Sequence, residues 1–285
     1  MIEIPPHLIH NLIKRALAED IGHGDITTTS IVPEEKTSEG KIIAKEGLVL
    51  CGLYIAEGVF RALDRDATVS SHFKDGDTIR KGEIIAGVSC NTKALLTGER
   101  TALNIMQRLS GIATLTSRFV EQVKGTGARI VDTRKTTPML RAFEKYAVRC
   151  GGGLNHRFGL YDAVLIKDNH IVVAGGITSA VRRVREILPH TVKIEVETKK
   201  LDEVKEAVEA KVDIIMLDNM GIDEIKKAVS FIRSTRNSQL AILIEASGNI
   251  NLDNVRDVAL AGVDLISVGA LTHSAPAVDI SLEVS

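Results

Sequence analysis

Between Arg129 and Lys167 the chain carries eight Lys and Arg against three Asp and Glu, although the whole 285-residue sequence has a formal net charge of only -1. Their placement matters more than their number. Arg134 and Lys135 directly follow an apolar run, Lys167 directly follows another, and His156 with Arg157 sits just past Gly151, Gly152 and Gly153. Cations at strand ends and glycine turns converge on a pocket more readily than cations spread along a helix. Such a pocket suits a small oligoanion, because a charge-assisted hydrogen bond to carboxylate or phosphate is about twice as strong as a neutral one. Arg adds bidentate recognition, and Lys a compact charge that can also meet a transient one.

Carboxylates oppose these cations further along. Glu197 and Asp218 are hard oxygen donors suited to Mg²⁺ held partly through water, or to sugar hydroxyls. The plainer role for both is to neutralise the rim lysines. Ser247-Gly248-Asn249 and Val268-Gly269-Ala270 close the last two apolar runs, where many barrels bind phosphate through backbone N–H groups. Either turn alone is a weak signal. His273, four residues past Gly269, is ambiguous, since a lone histidine is more often structural than part of a site.

The elements that must position these groups show a β/α rhythm. Apolar runs of strand length recur at 129–132, 163–166, 192–196, 213–217, 240–244 and 264–268, with helical spacing at 177–188, 201–210, 223–232 and 252–261. Strands this apolar belong to a parallel sheet covered by helices. Each run ends in polar, charged or glycine residues: Asp132-Thr133-Arg134-Lys135, Lys167-Asp168-Asn169-His170, Glu195 with Glu197, Asp218-Asn219, Glu245 to Asn249, and Gly269-Ala270. An open doubly wound sheet gathers strand ends only at its switch point, whereas a barrel brings all of them to one rim. The expected fold is α/β, an incomplete barrel of about six β/α units preceded by an α+β sandwich domain.

Before residue 110 the pattern differs. Pro5 and Pro6 begin an amphipathic helix over 5–19, and Asp20–Thr28 reads as a turn whose His23 and Asp25 are more simply capping than functional. Short β runs follow at 41–44, 48–51 and 68–71, with a helix over 54–63. HFKDGDTIRKGEIIAGV is similar to the half-repeat of lipoyl and biotinyl carrier domains, but no lysine sits in an attachment motif, so only sandwich geometry is implied. Residues 95–123 predict a long helix broken near Gly111, in which Arg100 beside Glu99 reads as a solvated charge. The expected domains are 1–110, with 274–285 packing back on it, and 111–273.

Composition excludes several classes. A near-neutral chain with no Trp, three Tyr and six Phe has neither the basic face nor the aromatic surface expected of a nucleic-acid binder. No apolar run approaches the ~18 residues of a membrane span, and the first residues carry prolines and charges where a signal peptide needs its apolar region. A cytoplasmic protein is expected. Cys51, Cys90 and Cys150 form no CxxC pair and read as buried small hydrophobes.

Taken together, EDIGHGDITT, GERTALNIMQRLSGIAT, VDTRKTTPMLRAFEKYAVRCGGGLNHRFGLYDAVLIKDNHI, the EVET of Glu195 to Thr198, MLDNM and the Ser-Gly-Asn turn resemble the quinolinate phosphoribosyltransferase family over nearly the whole chain. The resemblance implies transfer of phosphoribosyl from 5-phosphoribosyl-1-pyrophosphate to quinolinate with Mg²⁺, releasing pyrophosphate and CO₂ and leaving nicotinate mononucleotide for NAD synthesis. A paralogue that does not decarboxylate, preferring nicotinate or associated with molybdenum transport, is the alternative. Arg134, His156, Arg157 and Lys167 match the family's quinolinate-binding positions, with Arg100 reaching the neighbouring subunit's site in a homodimer that can assemble further into a hexamer. Lys135, Glu197 and Asp218 match the catalytic positions around ribose and metal, the last two being the metal ligands. Ser247, Gly248, Asn249 and Gly269 match the phosphate contacts, and Thr133, Val268, Ala270 and His273 complete the expected substrate-binding set.

Overall fold

The computed structural model describes residues 4–235 and 242–284. Packing groups the chain into two compact units: Met1–Ser117 with Thr137–Gly152 and Ser274–Ser285, and Arg118–Thr136 with Gly153–His273.

In the first unit, α1 (Pro6–Ile21) has Pro5 at its N-cap and Pro6 in its first turn, where a missing N–H costs nothing. It buries Ile13 and Leu17 and stops at Gly22. The stretch expected to be a turn through Thr28 is one only as far as Asp25. There the Asp25 carboxylate accepts the Thr28 N–H at 2.9 Å, which caps and starts α2 (Ile26–Ile31). Then come β1 (Thr37–Ala44), β2 (Leu48–Val49), α3 (Leu53–Leu63), β3 (Thr68–Ser70), β4 (Thr78–Ile79) and β5 (Ile84–Asn91). β5 pairs antiparallel with β1 and β3, while β2 and β4 form a separate ribbon. Gly76 and Gly82 bracket β4 at φ +96° and +86°, a backbone conformation that favours glycine.

Two further helices begin in this unit. α4 (Thr92–Gln122) is 31 residues long, and α5 is Arg141–Cys150. All three cysteines are free and buried, as their spacing suggested, with the sulfurs of Cys51 and Cys150 3.6 Å apart.

The second unit holds six parallel strands: β6 (Arg129–Val131), β7 (Val164–Ile166), β8 (Ile194–Thr198), β9 (Ile214–Asp218), β10 (Leu243–Ser247) and β11 (Leu265–Ser267). Their order in the sheet is β6-β11-β10-β9-β8-β7. This is the cyclic chain order with a single break, between β6 and β7, so the sheet curls into a barrel that lacks one seam. α6 (Asp168–Ala174), α7 (Ile177–Ile187), α8 (Leu201–Glu209), α9 (Ile222–Ser234), α10 (Val255–Leu260) and α11 (Ala270–His273) follow the strands from β7 onward. The expected α/β class and incomplete barrel are what the chain adopts. Three strands end later than expected, β8 at Thr198, β9 at Asp218 and β10 at Ser247. β8 runs on through Thr198, so Glu195 and Glu197 lie within it and are buried rather than following it. Leu240 and Ala241, where the fifth run begins in the sequence, lie outside the described residues.

The chain ends in the first unit with β12 (Ile280–Val284), antiparallel to β1. Its approach explains a misread helix. α4 is not broken at Gly111: the glycine instead admits the tail, because a Cβ built there would stand 2.0 Å from the Pro276 carbonyl oxygen. Gly111→Ala must displace backbone rather than a flexible side chain. It is expected to destabilise the protein by about 1–3 kcal/mol or more, read as a lowered urea midpoint at unchanged slope.

Candidate active site

The strand ends of the second unit surround a cavity of about 700 Å³. β6 delivers Thr133, Arg134 and Lys135 to it. The Lys135 N–H bonds the Thr133 hydroxyl at 3.0 Å, and the Lys135 carbonyl accepts the Thr272 hydroxyl at 2.7 Å, so the backbone is held on both sides of this one residue. His156 and Arg157 enter from the segment before β7. The fully buried Asp132 accepts the His156 backbone N–H at 2.9 Å and the Asn155 side-chain amide at 2.6 Å, and Arg157 Nη1 donates to the Ala163 carbonyl at 3.1 Å.

The chemistry of His156 is fixed by its neighbours. Nδ1 accepts the Arg157 N–H at 2.7 Å, which leaves the ring proton on Nε2. Nε2 then donates to Glu195 Oε2 at 3.0 Å, with Glu245 Oε2 at 3.7 Å. His156 therefore lines the cavity tied on one side to the Arg157 backbone and on the other to Glu195. Burial, and then the nearby charge of Arg134, draws the Arg157 guanidinium below its usual range.

Lys167 leaves β7 and places Nζ 3.4 Å from Glu197 Oε2 on β8. Burial raises the Glu197 carboxyl; the Lys167 charge opposes that shift and Asp218 adds to it. From β9 and β10 come two interlocked turns. Asn219, Gly248 and Asn249 all have positive φ (+55°, +92° and +52°), the Asn249 amide donates to Asn219 Oδ1 at 2.9 Å, and Asn219 N–H donates to the Ser247 carbonyl at 2.9 Å. Gly248 has no room for a side chain, since a Cβ would meet Asn219 Oδ1 at 2.3 Å. Gly269, beyond β11, similarly lies under the Lys135 side chain, whose Cδ would be 3.0 Å from an added Cβ.

Thr133, Arg134, Lys135, His156, Arg157, Lys167, Glu197 and Asp218 thus line one cavity, as do Ser247, Gly248, Asn249, Val268, Gly269, Ala270 and His273. Arg100 does not. It lies on α4 with its side chain 59% exposed and its guanidinium 3.7 Å from Glu99.

Two carboxylates in this region were not among the expected site residues. Glu195 is 3% exposed and Glu245, which lines the cavity floor, 0% exposed; both Glu245 oxygens and Glu195 Oε1 lack hydrogen-bond partners. A lone Glu inside an otherwise apolar strand, Glu245 in Leu243–Ser247, was the available signal. Its position two residues before Ser247 puts both on the same face of β10. Burial, reinforced by the charge of Glu195 and opposed by His156, pushes Glu245 up to about 8.

An incomplete α/β barrel whose strand ends gather fixed cations, paired carboxylates and tight Gly/Asn turns defines a barrel enzyme for polyanionic substrates. The comparisons with known proteins name the family. Its "Quinolinate phosphoribosyl transferase, N-terminal domain" matches residues 25–110, and its C-terminal domain matches 112–283. The chain belongs to the quinolinate phosphoribosyl transferase family. It is 44% identical over 282 residues to a probable nicotinate-nucleotide pyrophosphorylase (carboxylating) of Synechocystis, covering 99% of this chain and 94% of that one. A chloroplastic nicotinate-nucleotide pyrophosphorylase (carboxylating) of Arabidopsis thaliana is 42% identical, over 99% and 85%. Among solved structures, NadC from Streptococcus pyogenes is 40% identical with a TM-score of 0.94, covering 100% of this chain and 99% of that one. No helix of the described residues is long and apolar enough to cross a membrane.

The raised Glu245 makes stability depend on pH in a stated direction. Native Glu245 holds its proton up to about 8, whereas the unfolded residue releases it near the ordinary 4.5. Its stabilising contribution is therefore fully present below pH ~4.5 and is lost as pH rises toward ~8. Glu245→Gln, which mimics the protonated acid, should flatten that decline. The check is the difference in urea midpoint between the variant and the parent at pH 5 and pH 8.5.

Proposed function

We propose that this chain transfers the phosphoribosyl group of 5-phosphoribosyl-1-pyrophosphate to quinolinate with loss of CO₂, producing nicotinate mononucleotide and pyrophosphate. The observation that carries the reading is one cavity in which Arg134, Lys135, Arg157 and Lys167 face Glu197 and Asp218 beside backbone-rich turns. Quinolinate brings two adjacent carboxylates and the second substrate a phosphate and a pyrophosphate. A pocket for both needs several cations and somewhere for phosphate oxygens to meet N–H groups.

In this reading Arg134, Arg157 and Lys167 clamp the two carboxylates, so that the pyridine nitrogen is held in line with the ribose carbon it attacks. His156, bonded through Nδ1 to the Arg157 N–H, fixes the geometry of the Arg157 segment. As pyrophosphate leaves, positive charge develops on the ribose, and the carboxylates of Glu197 and Asp218 are placed to stabilise it. The same two carboxylates supply hard, partly buried oxygens of the kind that bind Mg²⁺ through one or two carboxylates plus water and substrate phosphates. They would hold that ion, which supplies neutralisation of the pyrophosphate charge when bound. The Ser247–Asn249 and Gly269 turns receive the phosphate end.

Once the ring nitrogen is bonded to ribose it is positively charged. The carbon–carbon bond to the neighbouring carboxylate then breaks, CO₂ departs, and the electron pair left on the ring carbon is stabilised by that adjacent charge. Lys135 donates the proton that completes the new C–H bond. Isothermal titration should show quinolinate binding and nicotinate failing to bind, and an assay with phosphoribosyl pyrophosphate and Mg²⁺ should release CO₂ and nicotinate mononucleotide together. Equal binding of nicotinate without CO₂ would sink the decarboxylating reading. Lys135→Ala should lower kcat by ~100-fold or more, with quinolinate affinity changed far less.

The active species in this proposal is a homodimer that completes each site with Arg100 from the other subunit. Two observations support it. Arg100 is exposed on α4, and apolar side chains stand in solvent on α2 (Ile26, Ile31) and around α6 (Leu160, Tyr161, Val172, Val173). Shared sites predict complementation. Arg100→Ala and Lys135→Ala should each retain only a small residual activity, but a mixture allowed to exchange subunits contains mixed dimers with one site free of both changes. Roughly a quarter of parental activity should return from random pairing in a two-fold dimer; no recovery despite verified exchange would show that Arg100 serves its own subunit.

A further inference from the structure

Lys135 is proposed above to act on the reacting carbon, and its backbone is held more tightly than a loop lysine requires. Its N–H is bonded to Thr133, two residues back on the same segment. Its carbonyl is held from elsewhere in the barrel by the Thr272 hydroxyl at 2.7 Å, the shortest contact that Lys135 makes with a residue outside its own loop among the hydrogen bonds described. The topology makes this possible. β11 pairs with β6 in parallel register, Leu265 opposite Arg129 and Ser267 opposite Val131, and the pairing continues as Val268 N–H bonds the Val131 carbonyl at 3.0 Å. The chain leaving β11 therefore runs beside the chain leaving β6, and α11 brings Thr272 level with Lys135.

Thr272 is 0% exposed and is not among the residues that line the cavity, so it does not meet a substrate. Its hydroxyl also lies 3.3 Å from the Gly269 carbonyl, the residue whose missing Cβ leaves space for the Lys135 side chain. One buried hydroxyl thus touches both the backbone that carries Lys135 and the turn over which its side chain lies. We infer that Thr272 is a positioning residue for Lys135: it sets where the lysine ammonium sits over the cavity without taking part in binding or chemistry itself. The inference rests on the proposed role of Lys135.

Serine and alanine at position 272 provide a matched test, because both lack the threonine methyl and differ from each other only in the hydroxyl. The measurement is kcat and quinolinate KM for Thr272→Ser and Thr272→Ala, each made in the parent and in Lys135→Ala, with thermal unfolding recorded for all. Misplacing a reacting group by about 1 Å can cost ~100-fold in rate, and a loosened lysine is expected to cost ~10-fold. In the parent, the alanine variant should therefore turn over ~10-fold more slowly than the serine variant at similar KM. In Lys135→Ala the two should be equal, because nothing remains to be positioned. Equal rates for serine and alanine in the parent would overturn the inference, as would the same serine-to-alanine loss persisting without Lys135, which would mark a general packing defect. If Lys135→Ala alone turns over normally, the assigned role of Lys135 has failed, and the inference falls with it whatever the serine and alanine variants do.

Discussion

A parallel barrel that stops short of closure leaves a strand edge with unpaired backbone groups, and the way this chain treats that edge governs its site. The break leaves edges on β6 and β7, and the β6 edge is the one covered by the loop that carries His156 and Arg157. Leu154 supplies the absent strand: its N–H donates to the Ile130 carbonyl at 2.8 Å and its carbonyl accepts the Asp132 N–H at 3.1 Å, in parallel bridge with Val131. Directly above this patch the Asp132 carboxylate, fully buried, takes the His156 N–H and the Asn155 amide. The two segments that carry Arg134 with Lys135 and His156 with Arg157 are thereby joined to one strand end. A full barrel would have put another β-strand there. The gap allows a short loop rich in donors to enter the rim instead.

Concentrating cations around one cavity is unfavourable unless negative charge lies close, and the strands provide it from within. Glu197 sits 3.4 Å from Lys167, and Glu195 accepts from His156 while its charge also favours the guanidinium of Arg157. These are alternating residues of β8, so one strand face serves both halves of the cavity. Glu245 is the excess. With Glu195 beside it, no hydrogen bond of its own and only His156 Nε2 at 3.7 Å to offset its charge, it is held as the neutral acid, the inexpensive form for a carboxyl removed from water. The floor thus carries less negative charge than its composition suggests, and the cations remain available to an anionic ligand.

The rim was legible because it obeys a simple period: each apolar run is followed by polar residues, and a barrel must bring such ends together. Fifteen of the expected residues, from Thr133 to His273, accordingly line one cavity. The floor was less legible. Glu195 and Glu245 look like strand-end charges until the strand lengths are known, and two or three residues of extension turn a solvated carboxylate into a buried one. Gly111 misled for a related reason, since a glycine that admits a neighbouring backbone has the same sequence appearance as one that ends a helix. Arg100 marks a different limit. Nothing in its own helix distinguishes it from a surface charge, and its expected role depends on a second chain.

The turns after β9 and β10 show why small residues recur where phosphate is expected. Asn219 and Asn249 adopt positive φ although neither is glycine, a conformation disfavoured for residues with a Cβ but tolerated best by Asn and Asp. Each is held there by the other, through the Asn249 amide to Asn219 Oδ1 and by Asn219 N–H to Ser247, with Asn254 bracing the Asn249 carbonyl at 2.9 Å. Gly248 cannot be anything larger, because the Asn219 side chain occupies the position of its Cβ. The strain of about 1 kcal/mol or more at each such residue is maintained by this mutual bracing. What the arrangement gains is a pair of adjacent loops whose backbone is fixed before any ligand arrives. A rim made of rigid backbone needs no reorganisation to meet a phosphate, which leaves the long cationic side chains as the adjustable part of the site.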